Sequence, residues 1–374
     1  MKNKITIIWI WHDILDDRIY YKQAISLSKK YNITLIWWQW KNEKIWTDEN
    51  NIHLIEIKGN PIKRIIKSII LGIKNKSDIY VAHDLFSYFS IVIIKLFKWK
   101  SKIVFDVHEF YSRYPIKSLN FKWKLTFIIF LYIIKPLTSR LFTGFTGATP
   151  EMLDYYPSTK EKEVIYNFPP KYLFDNIQSN NKLNSNYTYL VYHGWISEDR
   201  WIWNMLKLLK EYTKINPNVK LLLIWWFSSK ELEKHIFKYI KNNKLQNKVI
   251  YTGKLPFKDT IAYLKNPVKK IWLWLCNKVW QRWKTLPIKL VEYLYLEIPV
   301  LSSSHDKYFN EIIALNNCWI WVNEKDINHQ IKHLKELESN YDKYRNNCKK
   351  VKDNYIWKNE EKKLLNFYDK ILWT

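Results

Sequence analysis

The chain has 374 residues, of which 47% are apolar and 26% charged, a composition that excludes a disordered, a collagen-like or a disulfide-stapled protein. At about 150 residues per domain, this length predicts two domains that share a cleft. The net charge of +26 would attract nucleic acid or an anionic membrane, but most of it comes from Lys, and the scarcity of Arg disfavours nucleic-acid recognition.

Short runs of β-branched residues alternate with segments of helical periodicity in the first half of the chain. This alternation predicts a parallel sheet covered by helices, one of them near 17–30. A proline-containing polar stretch after residue 168 is typical of a linker. The predicted strands of this half are residues 5–10, 33–36, 52–57, 79–82, 102–107 and 164–167.

The same alternation begins again at residue 187 and predicts a second parallel sheet. Its predicted strands are residues 187–193, 220–224, 248–252, 270–276 and 300–303. Its predicted helices are residues 199–212, 229–241 and 287–296 and one that begins near residue 306. We therefore predict a first domain at 1–170, a linker at 171–186, a second domain at 187–355 and a C-terminal helix at 356–374 that packs back toward the first domain.

The spacing of the cysteines and the length of the apolar runs indicate the cellular compartment of the protein. Cys276, Cys318 and Cys348 have no C-x-x-C spacing, which indicates neither a disulfide framework nor a zinc site. The N-terminal residues enter a strand pattern directly, and the longest apolar run, 125–134, is far shorter than the ~18 residues that span a bilayer. We expect a cytoplasmic protein that uses no metal or other cofactor.

Glycine is scarce and tryptophan abundant. The chain has 6 Gly and 21 Trp, whereas average usage of about 7% would give roughly 26 Gly. Many Trp stand where a turn favours Gly, such as Trp9 and Trp11 after the first strand and Trp225 and Trp226 after 220–224. One hypothesis is that most of these positions are Gly, because the UGA codon is read as Gly in some genetic codes and as Trp in others. The alternative is a Trp-rich protein with unusual stacking surfaces.

A motif in the second half carries a family resemblance. Residues 285–293 (TLPIKLVEY), followed by 298–300 (IPV), resemble the nucleotide-sugar signature of family 4 glycosyltransferases, which have the GT-B fold. The resemblance implies two Rossmann-like domains that face a central cleft. It also implies a donor diphosphate at a helix start, where free N–H groups and the positive helix end lie. The residues that it assigns to the donor here are Thr285, Leu286, Pro287, Lys289 and Glu292.

Two of these residues are charged. The resemblance gives Lys289 a catalytic role at the diphosphate and lets Glu292, one helical turn further on, accept hydrogen bonds from ribose hydroxyls. Without it, the two would be interpreted as a surface Lys–Glu pair. The family's fuller signature has a second Glu, which contacts the donor sugar, and Lys284 stands at that position. This departure leaves the identity of the sugar open.

Two further loops resemble parts of the family's donor domain. Residues 192–201 (YHGWISEDRW) resemble its diphosphate loop, with Gly194 at the turn and Arg200 as the cation that stabilises the leaving diphosphate. An exposed Arg at a helix start is the alternative interpretation. Residues 249–256 (VIYTGKLP) resemble its base-binding turn. The residues implied to bind the nucleobase are Gly253, Lys254 and Leu255.

The first half contains weaker matches. Residues 104–110 (VFDVHEF) resemble the family's D-x-H-E motif, and 10–18 (IWHDILDDR) resemble its opening loop. The resemblance implies that His108 touches the donor sugar or the acceptor hydroxyl, whereas a structural His bonded to a backbone carbonyl is the alternative. His83 and Asp84, at another strand end, are weaker candidates for the acceptor pocket. The residues assigned to the acceptor side are Asp17, Arg18 and Glu109.

Residues 121–141 combine basic residues with an apolar middle. This segment would either rest on an anionic membrane surface or pack as core. Because the family often uses lipid-linked acceptors, we keep both interpretations.

Taken whole, the resemblance implies a retaining hexosyltransferase of polysaccharide or glycolipid synthesis. It would move a sugar from a nucleotide-diphosphate sugar to a lipid-linked or polysaccharide acceptor, at the inner membrane face, with basic side chains and helix ends in place of a metal ion. The alternatives are a nucleotide-sugar 2-epimerase, which needs no acceptor, and a non-catalytic sugar-nucleotide or membrane-binding module. A nucleic-acid binder is the remaining and least favoured alternative.

Overall fold

The computed structural model describes residues 2–10, 16–38, 45–108, 125, 128–180, 182–275, 286–303 and 307–374. The chain divides into two compact units. The first consists of Met1–Asn167 and Trp357–Thr374, and the second of Phe168–Ile356. Among the described residues, no helix combines the length and the apolar character needed to cross a bilayer.

The first unit is built on an eight-stranded sheet, whose strands are β1 (Lys4–Ile8), β2 (Asn32–Trp38), β3 (Ile45–Thr47), β4 (His53–Ile57), β5 (Ile79–Ala82), β6 (Lys102–Val107), β7 (Gly144–Gly147) and β8 (Glu161–Val164). Their order is β3-β4-β2-β1-β5-β6-β7-β8, and all pairs are parallel except β3 with β4. The strand predicted at 164–167 lies three residues earlier, because the polar segment Glu161–Val164 forms the sheet edge, where side chains reach solvent.

Helices cover both faces of this sheet. On one face lie α2, α3, the helical segment Phe130–Ile134 with α4, and α5. On the other face lie the helical segment Asp17–Ala24 with α1, and the C-terminal helix Trp357–Trp373, which buries residues at the helical spacing 364, 367, 368 and 371. The numbered helices are α1 (Ile25–Ser28), α2 (Pro61–Lys74), α3 (Leu85–Phe97), α4 (Lys135–Thr138) and α5 (Pro150–Leu153).

The second unit has a six-stranded sheet, whose strands are β9 (Thr188–His193), β10 (Val219–Ile224), β11 (Val249–Tyr251), β12 (Lys270–Trp274), β13 (Val300–Ser302) and β14 (Trp319–Trp321). All its pairs are parallel, in the order β11-β10-β9-β12-β13-β14. The chain thus winds in opposite directions on the two sides of β9. Such a reversal opens a crevice at the carboxyl ends of the two central strands, here β9 and β12.

The helices of the second unit are α6 (Tyr172–Asp175), α7 (Ile202–Tyr212), α8 (Lys230–Asn242), α9 (Phe257–Leu264), α10 (Ile288–Tyr295), α11 (Lys307–Phe309), α12 (Ile327–Ser339) and α13 (Tyr341–Val351). Helices α7, α8 and α12 pack with the sheet in one apolar core. α6, within the stretch predicted to be a linker, is also packed, because Phe174 and Ile177 are buried in a small core with Ile261 and Tyr295.

Two tryptophans have a backbone conformation that favours glycine. The φ angle is 59° at Trp201 and 141° at Trp225, and the second value lies in a region that side chains other than glycine's rarely allow. A buried indole N–H usually finds a hydrogen-bond partner. Among the described residues, the indole N–H groups of Trp37, Trp225, Trp272 and Trp274 have none. Both observations favour the hypothesis that glycine belongs at several Trp positions, which stays a prediction.

Candidate functional site

A cavity of about 400 Å³ lies at the crevice of the second unit. It sits where β9, β10 and β12 end and where α10 begins, so backbone from four elements meets there. Five residues that the sequence assigned to the donor line this cavity together: Gly194, Arg200, Leu286, Pro287 and Lys289. The remaining lining residues are His193, Trp195, Trp225, Trp274 and Ile288.

The glycine loop after β9 forms one wall. Gly194 has a φ of 138°, which only glycine adopts without strain, and its N–H donates to the carbonyl of Ile224 at 3.1 Å. A Cβ at this position would lie 3.9 Å from Nη1 of Arg200, so the bare backbone and the guanidinium share the same wall. The guanidinium also lies 3.5 Å from the Tyr192 hydroxyl. The loop therefore sets a cation beside an open stretch of backbone.

The start of α10 forms the facing wall. Among the described residues, no side chain caps this helix, and those residues leave N–H groups of its first turn to water or a ligand. Lys289 lines the cavity, and its Nζ donates to Oε2 of Glu292 at 2.9 Å. Glu292 itself is buried, which makes the pair different from the exposed surface pair considered from the sequence. One carboxylate oxygen thereby holds the ammonium at the cavity wall.

His193 received no role from the sequence, although it ends β9 directly before the glycine turn. Burial, reinforced by the charge of Lys289, lowers the pKa of its imidazole well below the ordinary value, so the ring is neutral. Its Nδ1 is buried and has no hydrogen-bond partner among the described residues. A neutral ring in the cavity wall with an unsatisfied nitrogen is a candidate ligand contact. Its position next to Gly194 was the signal that could have identified it.

The turn assigned to the nucleobase lies beside the cavity. Gly253 has a φ of 67°, and a Cβ placed there would meet nothing within 4 Å, so its backbone can be approached. Its carbonyl accepts from the N–H of Trp225 at 3.0 Å, which ties the turn to the cavity wall. Lys254 holds its Nζ 5.2 Å from the ring centre of Trp225, and Leu255 is half-buried. None of the three residues lines the cavity itself.

The first unit has a different cluster at its strand ends. Asp106 lies near the end of β6, in register with Thr146 on β7, and is fully buried. Its carboxylate oxygens accept hydrogen bonds from charged and neutral side chains. The donors at 2.6 to 2.9 Å are Arg18 (Nε and Nη2), Gln23 (Nε2), Thr146 (Oγ1) and His108 (Nε2).

The electrostatics of this cluster favour its charged form. Burial by itself raises the pKa of Asp106, but the charges and hydrogen bonds of Arg18 and His108 outweigh it and hold the pKa well below the ordinary value. The pKa of Arg18 is raised by Asp106 despite burial, and its Nη1 also donates to the carbonyl of Ile165 at 2.7 Å. Arg18, assigned to the acceptor side, is thus buried in an ion pair. An acceptor-side role for it stays a prediction.

His108 follows β6 and is 15% exposed. Its Nε2 lies 2.6 Å from Oδ2 of Asp106, so the ring is held by a carboxylate rather than by a backbone carbonyl. That nitrogen is engaged, and among the described residues Nδ1 has no hydrogen-bond partner, so Nδ1 is the ring nitrogen that a ligand would meet. A contact of His108 with substrate stays a prediction.

Three side chains of the cluster could also ligate a cation. His83, Asp106 and His108 offer atoms within 4.8 Å of one another, and Nδ1 of His83 lies 2.9 Å from Nε2 of His108. Arg18, however, binds both oxygens of Asp106 and adds a positive charge that opposes a second cation. The three side chains therefore fit a hydrogen-bonded cluster around Asp106 better than a metal site.

The other acceptor-side candidates have structural contacts. Asp17 is half-exposed and pairs with Lys22 at 2.5 Å. Asp84 is buried and caps α3, where its side chain accepts from the N–H of Ser87. Their roles in binding stay predictions. Of the residues singled out from the sequence, Trp11, Glu109, Cys276, Lys284 and Thr285 lie outside the described ranges, as do 121–124, 126 and 127 of the segment 121–141.

Residues 174–354 match the family model of the glycosyl transferases group 1. This match lies within the second unit and covers the residues of the cavity. No curated protein sequence matches the chain.

Similar solved structures extend over both units. Sucrose-phosphate synthase from Thermosynechococcus elongatus is 11% identical, with 99% of each chain covered and a TM-score of 0.73. HepE from Anabaena, solved with UDP and glucose, is 11% identical, with 98% of this chain and 100% of that chain covered and a TM-score of 0.71. A Listeria monocytogenes protein, provisionally named a UDP-N-acetylglucosamine 2-epimerase, is 9% identical, with 98% and 95% covered and a TM-score of 0.59.

Sequence identities of this size establish the fold only, so the activity has to be inferred from the residues of the site. The two parallel-sheet units and these likenesses confirm the GT-B fold predicted from the sequence. The family model supports the predicted class of glycosyltransferase at its coarser level, and assignment to family 4 stays a prediction. The chain thus has the GT-B fold, and its second unit carries the sequence pattern of the group 1 glycosyl transferases.

Proposed function

We propose that the protein transfers a sugar from a nucleotide-diphosphate sugar to a hydroxyl acceptor. The observation that carries this proposal is the cavity in the unit that matches the group 1 glycosyl transferases. Its described lining contains Arg200, Lys289, an uncapped helix start and a bare glycine turn, and no Asp or Glu. Positive charge and free N–H groups are what a diphosphate needs.

The proposed reaction breaks the bond between the anomeric carbon and the diphosphate oxygen. Negative charge grows on the departing diphosphate, and Arg200 and Lys289 stabilise it there. The acceptor oxygen attacks from the face that the diphosphate leaves, so the anomeric configuration is retained. The acceptor proton passes to the departing phosphate oxygen, which balances the charge. The two cations supply the electrostatic stabilisation, so we assign no step to a metal ion.

We propose the other contacts from the family resemblance of the residues concerned. We assign the ribose hydroxyls to Glu292, and the nucleobase to the backbone of Gly253, Lys254 and Leu255. We assign a hydroxyl of the sugar or of the acceptor to Nδ1 of His108, whose ring Asp106 orients. A UDP-sugar is the first donor to test, since HepE is solved with UDP and with UDP-glucose. We further propose that the donor carries a hexose. The acceptor would belong to polysaccharide or glycolipid synthesis at the cytoplasmic face of the membrane.

A thermal-shift panel of UDP, GDP, ADP and their common sugars tests the donor site. A ligand that binds only the folded protein raises its melting temperature, so one nucleotide class should raise Tm in a saturable way. The Lys289→Met variant should lose most of that shift. The matched control Lys241→Met, on the exposed end of α8, should keep it. A folded protein whose Tm responds to none of these nucleotides would contradict the proposal.

Product analysis separates the proposed transferase from the alternatives. Release of nucleoside diphosphate that depends on an added acceptor supports transfer. Conversion of the nucleotide sugar without acceptor would indicate a 2-epimerase. The similar structure from Listeria monocytogenes carries that name. Binding without turnover across acceptors would indicate a non-catalytic module.

A further inference from the structure

One helical layer of the first unit presents apolar side chains to solvent. Helices α2, α3 and the segment 128–138 cover the same face of the sheet and share one core. The hydroxyls of Ser68 on α2 and Ser90 on α3 lie 2.7 Å apart, and those of Tyr88 on α3 and Thr138 lie 2.8 Å apart. The three helices are therefore neighbours in one layer, and their outer sides form one surface.

The outer side of this layer is apolar. Ile62, Ile66 and Ile70 recur at every fourth residue of α2, a spacing that places them on one side of the helix, and they are 69%, 51% and 47% exposed. Monomeric soluble proteins rarely expose so many large apolar side chains together. We call this surface the apolar face and define it by Ile62, Ile66, Ile70, Leu96, Phe97 and Leu137.

The helical segments that carry the apolar face contain basic side chains and no acidic ones. In α2, α3 and residues 128–138 these are Lys63, Lys67, Lys74 and Lys95 together with the buried Arg64 and Lys135. The opposite helical layer of the same unit is mixed, because Lys30 there pairs with Asp369 of the C-terminal helix at 2.6 Å. The positive charge beside the apolar face is therefore not balanced within its own segments.

We propose that the apolar face docks on an anionic lipid bilayer. The aliphatic side chains would enter the boundary between headgroups and acyl chains, and exposed lysines such as Lys63, Lys74 and Lys100 would contact anionic headgroups. A second copy of the chain fits less well, since two positive faces repel each other. A nucleic acid would complement the positive charge, but its phosphate backbone would not bury the row of exposed isoleucines. This surface does not depend on the sugar-transfer proposal, and it extends the membrane contact considered for residues 121–141 to α2 and α3.

Vesicle flotation of the full chain tests this docking surface. At low salt the protein should float with vesicles of phosphatidylcholine and phosphatidylglycerol and much less with phosphatidylcholine alone. Added salt should weaken binding, because it screens the lysines from the headgroups. The double variant Ile66→Glu/Leu96→Glu, which changes two exposed positions, should bind at least tenfold more weakly. The control Leu315→Glu, at a residue of the second unit that is 77% exposed, should bind as the unaltered protein does.

Other outcomes would overturn the proposal. One is an unaltered protein that floats with neither vesicle. Another is a double variant that remains folded by circular dichroism and binds as strongly as the control. A lipid-free dimer that dissociates in the double variant would assign the apolar face to a second copy instead. Nucleotide-dependent thermal shifts are measured without lipid, so they report on the donor cavity separately.

Discussion

The strand ends of the two units carry charged clusters of opposite kinds. In the first unit, Arg18 and Asp106 are buried and hold each other through two hydrogen bonds. In the second unit, Arg200 and Lys289 line an open cavity next to a bare glycine turn. The charges of the first cluster are buried against each other, whereas the two cations of the second line an open cavity that a ligand can enter. Substitutions should therefore cost stability in the first cluster and ligand affinity in the second.

The largest effect is expected from Asp106→Asn. The change removes the negative charge that compensates Arg18 in the interior, and breaking a buried ion pair costs about 3–5 kcal/mol. Urea denaturation measures this loss of unfolding free energy. The control Asp369→Asn removes the partly exposed pair with Lys30, which should cost less than about 1 kcal/mol. Equal losses in both variants would show that the buried cluster contributes no more than a surface pair.

The second expected effect is a gain of stability from Trp225→Gly. Relief of the backbone strain at a φ of 141° should stabilise the protein by about 1–3 kcal/mol, less the apolar contacts of the lost indole. The control Trp226→Gly changes an exposed neighbour whose φ is not positive, so it should give no gain. Urea denaturation compares the two. A loss of stability in both variants would contradict the strain argument.

Mass spectrometry decides the identity of these positions directly. Peptide masses of the native protein with Gly at 225 and 226 would show that the Trp residues arise from the reading of UGA. Masses with Trp at positions 9, 11, 225 and 226 would overturn that hypothesis.

Much of the fold was predictable because strands and helices leave local patterns of burial. The strand predicted at 187–193 is observed as Thr188–His193, and the helix predicted at 287–296 as Ile288–Tyr295. The strand Gly144–Gly147 was not predicted, since its two glycines and short length give no periodic apolar signal. Its neighbours in the sheet, rather than its own residues, determine that it is a strand.

The candidate sites were predictable in part, for a related reason. Gly194 and Arg200 lie in the loop after β9 and Lys289 lies in the first turn of α10. Nearby glycine, proline and basic residues mark both stretches locally, and the structure brings the three residues to one cavity. The ion pair of Arg18 and Asp106 joins residues 88 positions apart. Only the packing of a helix against the sheet creates that contact, so no local pattern reveals it.

The third expected effect is on ligand affinity in the second unit. Arg200→Gln removes a charge beside the glycine loop and should weaken UDP binding about tenfold, or about 1.4 kcal/mol. The unfolding free energy should change by no more than about 0.5 kcal/mol, because no part of a buried core is removed. Isothermal titration calorimetry with UDP measures the affinity. An unchanged affinity, or a loss that merely follows unfolding, would remove Arg200 from the donor site.

The smallest expected effect is the pH dependence contributed by His193. Its pKa is lowered in the folded protein by burial and by the charge of Lys289, so the folded state stays neutral while the unfolded state binds a proton below pH 6.5. The unfolded state thus gains stability as pH falls, by about 0.7 kcal/mol between pH 7 and pH 6. His83, whose pKa burial also lowers, adds a contribution of the same sign.

Comparison with His193→Gln isolates this contribution, because His83 is unchanged in the variant. The variant should lose stability less steeply than the unaltered protein in denaturation series from pH 7 to pH 6. Equal slopes would show that His193 titrates alike in both states. The same comparison in saturating UDP tests whether the nucleotide binds in the cavity that His193 and Lys289 line. A diphosphate bound there would favour the protonated imidazole of His193 in the folded protein. The pH slopes of the unaltered protein and the variant should then differ less than they do without UDP.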